Sequence, residues 1–204
     1  MDPRWSPEHF RAQAREAAQN KPISQVYIGG DNNYKPFMTS SSETVNQVVR
    51  EVVDLAPQEA PCLESVEVNY YYDKNTLQPQ ALDELANKAA NCERLTVAAL
   101  CGAPATNLLW LNMAGRICQT SQNLKHLVIR GTRTTAEDGA AFLQQLAESD
   151  LTTLEHVDFT GHGSEKTGNW FGGKQKPVDH ALALFAKQPQ LNFLLMINCA
   201  LTTD

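Results

Sequence analysis

Two groups of residues in this chain have the types and spacing to do chemistry. Residues 168 to 175 read GNWFGGKQ. Gly168, Gly173 and Lys174 fit the first seven places of the phosphate-loop pattern G-x-x-x-x-G-K-[ST], in which backbone N–H groups and a lysine hold phosphates while a hydroxyl reaches magnesium. Gln175 stands where that hydroxyl is required. The second group is His126, His156 and Cys101, with Asp158 and Arg130 close by in sequence. Brought together on one surface, two imidazoles and a thiolate could hold a metal, and Arg130 would help stabilise Cys101 as a nucleophile. Which chemistry is available depends on the elements that carry these residues.

Composition narrows the classes. With 204 residues the chain suits one domain with a substantial core. Lys+Arg 17 against Asp+Glu 23 gives a net charge of -6, which argues against a general affinity for nucleic acid or anionic membrane. The cysteines Cys62, Cys92, Cys101, Cys118 and Cys199 stand singly, with no C-x-x-C pair and no histidine at zinc-finger spacing. The opening MDPRWSPEHFRAQAREA lacks the apolar stretch of a secretory signal, and no apolar run reaches membrane-spanning length. The expected setting is cytoplasmic, or a host cell entered by an export route that cleaves no signal peptide.

An internal repeat sets the architecture. In LNFLLMINCAL, Leu191, Leu194, Met196, Cys199 and Leu201 occupy the fixed places of L-x-x-L-x-L-x-x-N/C-x-L. Its first six places recur as ISQVYI from Ile23, LESVEV from Leu63, LTVAAL from Leu95, LKHLVI from Leu124 and LEHVDF from Leu154. Three of the five intervals lie near 30 residues (95 − 63 = 32, 124 − 95 = 29, 154 − 124 = 30), and the other two need insertions. The turn half matches less well, because Asp31, Tyr71, Ala103, Thr132 and His162 replace the Asn or Cys of the ninth place.

Between these strands the apolar period becomes helical, as in Val45, Val48, Val49, Val52, in Leu82, Leu85, Ala86, Ala89, and in Gly139, Phe142, Leu143, Leu146. Pro79 and Pro177 suit the first turns of helices, where a missing N–H costs nothing. The stretch TNLLWLNMAG reads as helix too, since a strand there would halve one interval.

This alternation resembles the leucine-rich repeat family, and the interval near 30 with full helices resembles its ribonuclease-inhibitor-like class. The resemblance implies an α/β solenoid over 21–204, about six repeats in a horseshoe arc with a parallel sheet on the concave face, helices on the convex face and insertions at 29–42 and 161–176. Residues 1–20 are expected to form an N-terminal capping helix, with Trp5 and Phe10 at hydrophobic-staple spacing. A doubly wound α/β domain also alternates strand and helix, but its strands run continuously apolar, whereas these alternate apolar with polar and so leave one sheet face open.

Position then decides against the phosphate loop. Its first glycine must follow a strand directly and its lysine must open the next helix. Here seven residues, GHGSEKT, stand between Thr160 and Gly168, and Gln175 and Lys176 separate Lys174 from the proline that suits the start of the helix. The segment reads as an insertion whose Trp170 and Phe171 either contact a partner or fold back on the neighbouring helix.

On the open face, places three, five and seven of each repeat present Gln25, Tyr27, Glu67, Asn69, His126, Arg130, His156 and Asp158 as candidate partner contacts. The repeat from Leu95 puts Val97, Ala99 and Cys101 there. Phe193, Leu195 and Ile197 form an apolar patch on the last strand, and its free edge predicts a homodimer. The expected function is protein binding, as in a bacterial effector or an adaptor, with no catalytic site, no cofactor and no metal. The alternatives are a nucleotide-binding α/β enzyme or a metal or thiol site at His126, His156 and Cys101.

Overall fold

The computed structural model describes residues 12–13, 15–16, 24–29, 50, 63–69, 78–98, 104–162, 169–171 and 177–199. Ala12, Gln13, Arg15 and Glu16 are helical and exposed; the rest of the expected capping helix, the 29–42 insertion beyond Gly29, and Cys101, Gly168, Gly173 and Lys174 lie outside the described residues. Six strands form one parallel sheet: β1 (Gln25–Gly29), β2 (Ser65–Asn69), β3 (Arg94–Ala98), β4 (His126–Arg130), β5 (His156–Thr160) and β6 (Phe193–Leu195). Four helices follow β2 to β5 in turn: α1 (Pro79–Lys88), α2 (Pro104–Thr120), α3 (Ala136–Glu148) and α4 (Pro177–Ala186).

The strands lie in chain order, each beside its sequence neighbours, which is compatible with a repeat solenoid. Parallel crossovers are right-handed almost without exception, so a strand order that never reverses puts α1 to α4 on the same side of the sheet. Burial agrees. Val66 and Val68, Leu95 and Val97, Leu127 and Ile129, and Val157 and Phe159 are fully buried beneath the helices, while on the other face Glu67 and Thr96 are part-exposed and Val128 and Asp158 are covered by their neighbours. The helices pack as a file, α1 on α2, α2 on α3 and α3 on α4. A doubly wound sheet would reverse its strand order somewhere and open a ligand crevice at that point; this sheet does not reverse.

The same backbone device joins every pair of strands. The carbonyl of Ser24 accepts from both Glu64 and Ser65 N–H, and the carbonyls of Glu64, Glu93, Lys125 and Glu155 do likewise for the next repeat. The places that repeat in this ladder are 64, 93, 125, 155 and 192, with steps of 29, 32, 30 and 37. At the far end of three repeats the chain turns through a left-handed residue, Gly131 (φ 58), Gly161 (φ 86) and Asn198 (φ 57). Such values suit glycine and asparagine, whose side chains meet no steric conflict there or bond locally.

The third repeat corrects the expected register. Leu95 lies beside Val66 and Leu127, which occupy fourth places, so the first place belongs to the buried Cys92 and the repeat reads CERLTV. LTVAAL imitates the pattern because Ala98 and Leu100 fall where apolar residues are required. A shift of three is odd, and therefore turns every side chain of the strand to the other face. Val97 is buried under the helices, and the open-face residues of β3 are Arg94, Thr96 and Ala98.

Two ninth-place residues, His162 and Cys199, do a common job despite their different chemistry. His162 Nε2 donates to the Ile129 carbonyl at 2.9 Å, and Cys199 Sγ donates to the Phe159 carbonyl. Each reaches the sixth place of the preceding repeat and satisfies a carbonyl that the turn leaves buried. Thr132 is fully buried at the same place, but its Oγ1 has no partner.

Of the two courses expected for Trp170 and Phe171, partner contact or folding back, the structure shows the second. Both are buried, at 0% and 3% exposure, and are not surface contacts. Trp170 packs against α3 and the chain just before it: its Nε1 donates to Thr134 Oγ1 at 3.0 Å, its ring stacks on His162 at 3.8 Å, and Phe142 packs on it at a tilt. Gly139 makes this seat possible, since a Cβ there would stand 2.2 Å from Trp170 Cδ1.

Candidate functional site on the open sheet face

Register places the open-face residues in lateral rows. The row nearest the strand starts runs Gln25, Ser65, Arg94, His126, His156, Phe193. Adjacent strands lie about 4.8 Å apart, close to the separation at which flat side chains stack. His126 and His156 do so, with centroids 5.3 Å apart and rings 16° from parallel. Phe193 continues the stack beyond His156 at 4.1 Å and 7°. Three rings from three repeats thus stand as one ladder on the sheet. Phe193 ends it and is 42% exposed.

The second row runs Tyr27, Glu67, Thr96, Val128, Asp158, Leu195. Tyr27 is 57% exposed, so most of a large aromatic surface faces solvent at the opposite end from Phe193. Asp158 is fully buried. Arg130 Nε donates to its Oδ2 at 2.8 Å, a second guanidinium nitrogen donates to the same oxygen, and Thr160 Oγ1 donates to Oδ1. Both carboxylate oxygens are thereby committed, which leaves Asp158 to hold Arg130 across the sheet. The third row, Gly29, Asn69, Ala98, Arg130, Thr160, puts Ala98 beside Arg130 where Cys101 was expected.

Electrostatics limit what this surface does at neutral pH. Burial, followed by the nearby Arg94 and His156, lowers the His126 pKa below its ordinary value, which favours the uncharged ring in the ladder. Lys125 pairs with Glu155 at 3.3 Å just outside the first row. Among the described residues no group of three or more His, Cys, Asp or Glu could hold a metal ion. Burial pushes the Cys92 thiol up to about 11 and raises those of Cys118 and Cys199 as well. A thiol so placed is a poor nucleophile and a poor metal ligand.

The structure therefore brings together His126, His156 and Phe193 in one row and Arg130 with Asp158 in another, while Gln25 and Tyr27 lie at the far end of the sheet. Glu67 and Asn69 are half-buried between them, Leu195 is half-buried beside Asp158, and Ile197 is 51% exposed just past β6. Arg94 is a member of the row that the sequence reading left out, because a repeat begun at Leu95 leaves it before the first place. Its signal was the Cys92 place, legible once a small apolar residue is admitted at the first position.

No helix among the described residues is long and apolar enough to cross a membrane. Comparison with protein-family models, with curated proteins and with solved structures finds no match for the chain.

Proposed function

We propose that this chain is a leucine-rich repeat solenoid that binds a protein partner through its open sheet face. The observation that carries the reading is the strip made by Arg94, His126, His156 and Phe193, with exposed Tyr27 further along the same face. Aromatic and arginine side chains held rigid by a sheet contribute contact area at low entropic cost, the chemistry enriched where protein partners dock. A face that is flat and repetitive, with the Asp158 carboxylate already paired to Arg130, suits recognition better than bond-making. The partner is met inside a cell, the maker's own or a host's, where the buried thiols of Cys92, Cys118 and Cys199 stay reduced.

The test is capture and cross-linking from lysate with two baits, the natural chain and a His156→Glu, Tyr27→Asp double variant whose circular dichroism matches it. A protein recovered by the first and lost with the second supports the reading. Equal recovery by both removes the open face from consideration. Calorimetry with ATP and GTP in magnesium addresses the nucleotide alternative, and micromolar binding abolished by Lys174→Ala would replace the present reading.

A further inference from the structure

The open face carries two arginines among the described residues, and their side chains differ in what they hold. Arg130 is committed to Asp158, whose other carboxylate oxygen accepts from Thr160. Arg94 is exposed, and among the described residues its side chain has no hydrogen-bond or ion-pair partner. Its neighbours in the row nearest the strand starts are Ser65 and His126, with His156 one strand further and Thr96 two residues along β3. Among the described residues these four side chains have no hydrogen-bond partner either, and the two rings make contact only by stacking. The cluster sits in the middle of the sheet, on strands β2 to β5 that are each bonded on both sides, so it owes nothing to the sheet edges.

What these side chains hold in excess is donors. A guanidinium offers five N–H groups and accepts nothing, while hydroxyls and an uncharged imidazole can each donate as well. The local field has the matching sign. After burial, the groups that lower the His126 pKa are the positive neighbours Arg94, His156 and Lys125, and Glu155 opposes them. A chain of net charge -6 thus has a positive spot on its open face.

We infer that this cluster receives the carboxylate of an aspartate or glutamate side chain of the partner, so that the open face selects an acidic protein segment; the inference rests on the reading of that face as a partner-binding surface. Arg94 grips the carboxylate through two parallel N–H groups, the planar match a guanidinium makes best, and His126 stands beside it with a ring N–H to donate. Seated between Arg94 and His126, over β3 and β4, the anion lies away from Glu67, the half-buried carboxylate on β2. One guanidinium next to an uncharged imidazole balances a single negative charge. A phosphorylated side chain brings about 1.5 to 2 and is matched less well.

Nuclear magnetic resonance tests this with the natural chain and three short capped peptides that differ at one position, carrying glutamate, glutamine or phosphoserine. The glutamate peptide is expected to shift the Arg94 side-chain N–H and His126 ring signals saturably, and to bind at least about threefold more tightly than the glutamine peptide, as an exposed ion pair does. An anion nearby favours the protonated ring, so the bound glutamate peptide is also expected to raise the His126 pKa, which a contact of shape alone would not do. Arg94→Gln replaces an exposed side chain, should leave circular dichroism unchanged, and is expected to abolish the preference for glutamate. No shift of Arg94 or His126 by the glutamate peptide, equal affinity for glutamate and glutamine, tighter binding of phosphoserine, or a preference that survives in Arg94→Gln overturns the inference. Its failure is distinguishable from that of the binding reading. A lysate protein lost with the His156→Glu, Tyr27→Asp bait but still recovered by an Arg94→Gln bait keeps the open face as the binding surface and overturns only the carboxylate site.

Discussion

Gly139 and His162 meet on Trp170, and each makes a separate demand at that ring. Glycine in a helix interior costs about 1 kcal/mol relative to alanine, so its presence in α3 needs a reason. The reason is the indole that occupies the place of its missing side chain. Gly139→Ala is therefore expected to destabilise the chain by about 1–2 kcal/mol in urea, the overpacking cost exceeding the gain in helix propensity. Trp170 emission should shift to the red as its ring is displaced toward water. His162 carries a different signature. Its Nε2–H is committed to the Ile129 carbonyl and its Nδ1 has no partner, so a second proton would bring an unpaired charge into the core. Burial lowers its pKa from 6.5 to about 4, against smaller opposing effects of the Ile129 carbonyl and Asp158. A folded pKa below the unfolded one means that the unfolded chain binds the proton first. The stabilisation is then complete above pH 6.5 and is lost as pH falls toward 4, by about 3 kcal/mol over that window. His162→Gln retains a donor for the carbonyl and does not titrate, so its unfolding free energy should fall less steeply over the same range. Equal slopes for the two proteins would show that His162 is already free to protonate in the folded state.

At the scale of elements, each strand must show one face to the helices and the other to water, and β3 is where that choice tests the register. Thr96 is part-exposed on the open face and Val97 is fully buried one residue later. Thr96→Lys is expected to change stability by less than about 1 kcal/mol, whereas Val97→Lys, which buries an unpaired charge, should cost more than about 3 kcal/mol or prevent folding. Reversal of that order in thermal unfolding would restore the Leu95 start. The helices are held by equally local rules. At the start of α3, Thr135 Oγ1 accepts from Asp138 N–H while the Asp138 carboxylate accepts from Thr135, a reciprocal cap that stops the chain drifting before the helix begins. At its end, Lys187 from the next repeat donates to the carbonyls of Ala147 and Ser149, tying α3 to the chain that follows α4.

For the whole molecule the important property is that strands and helices contact mainly their neighbours in sequence, so a disturbance in one repeat is felt first by the two beside it. Strands β2 to β5 are bonded on both sides, while β6 is three residues long and bonded by β5 alone among the described residues. Hydrogen exchange should accordingly be slowest in β3 and β4 and faster in β6. The Leu194 amide points away from β5, the neighbour of β6 among the described residues, and should be the fastest of the β6 amides, an order that hydrogen exchange read residue by residue checks.

The amino-acid sequence by itself determined the alternation of elements and most of the sheet. Leu63, Leu124, Leu154 and Leu191 mark strand starts because a repeat of one structure demands an apolar side chain at one place, and that demand is local enough to be read from spacing. The same spacing placed His126 beside His156, and Phe193 beyond them, since a parallel register carries places in one repeat to the same places in the next. Three things needed the tertiary structure. The register of β3 rests on which apolar residues the helix layer covers, and Cys92 with LTV fits that layer while the leucine-led LTVAAL does not. The fate of Trp170 and Phe171 depended on a vacancy at Gly139, some thirty residues earlier in the chain, which no local pattern announces. The pairing of half-exposed Arg130 with fully buried Asp158 was likewise invisible in spacing. Adjacency follows from register, but whether a carboxylate faces water or is sealed under a guanidinium is decided only when the neighbouring side chains are in place.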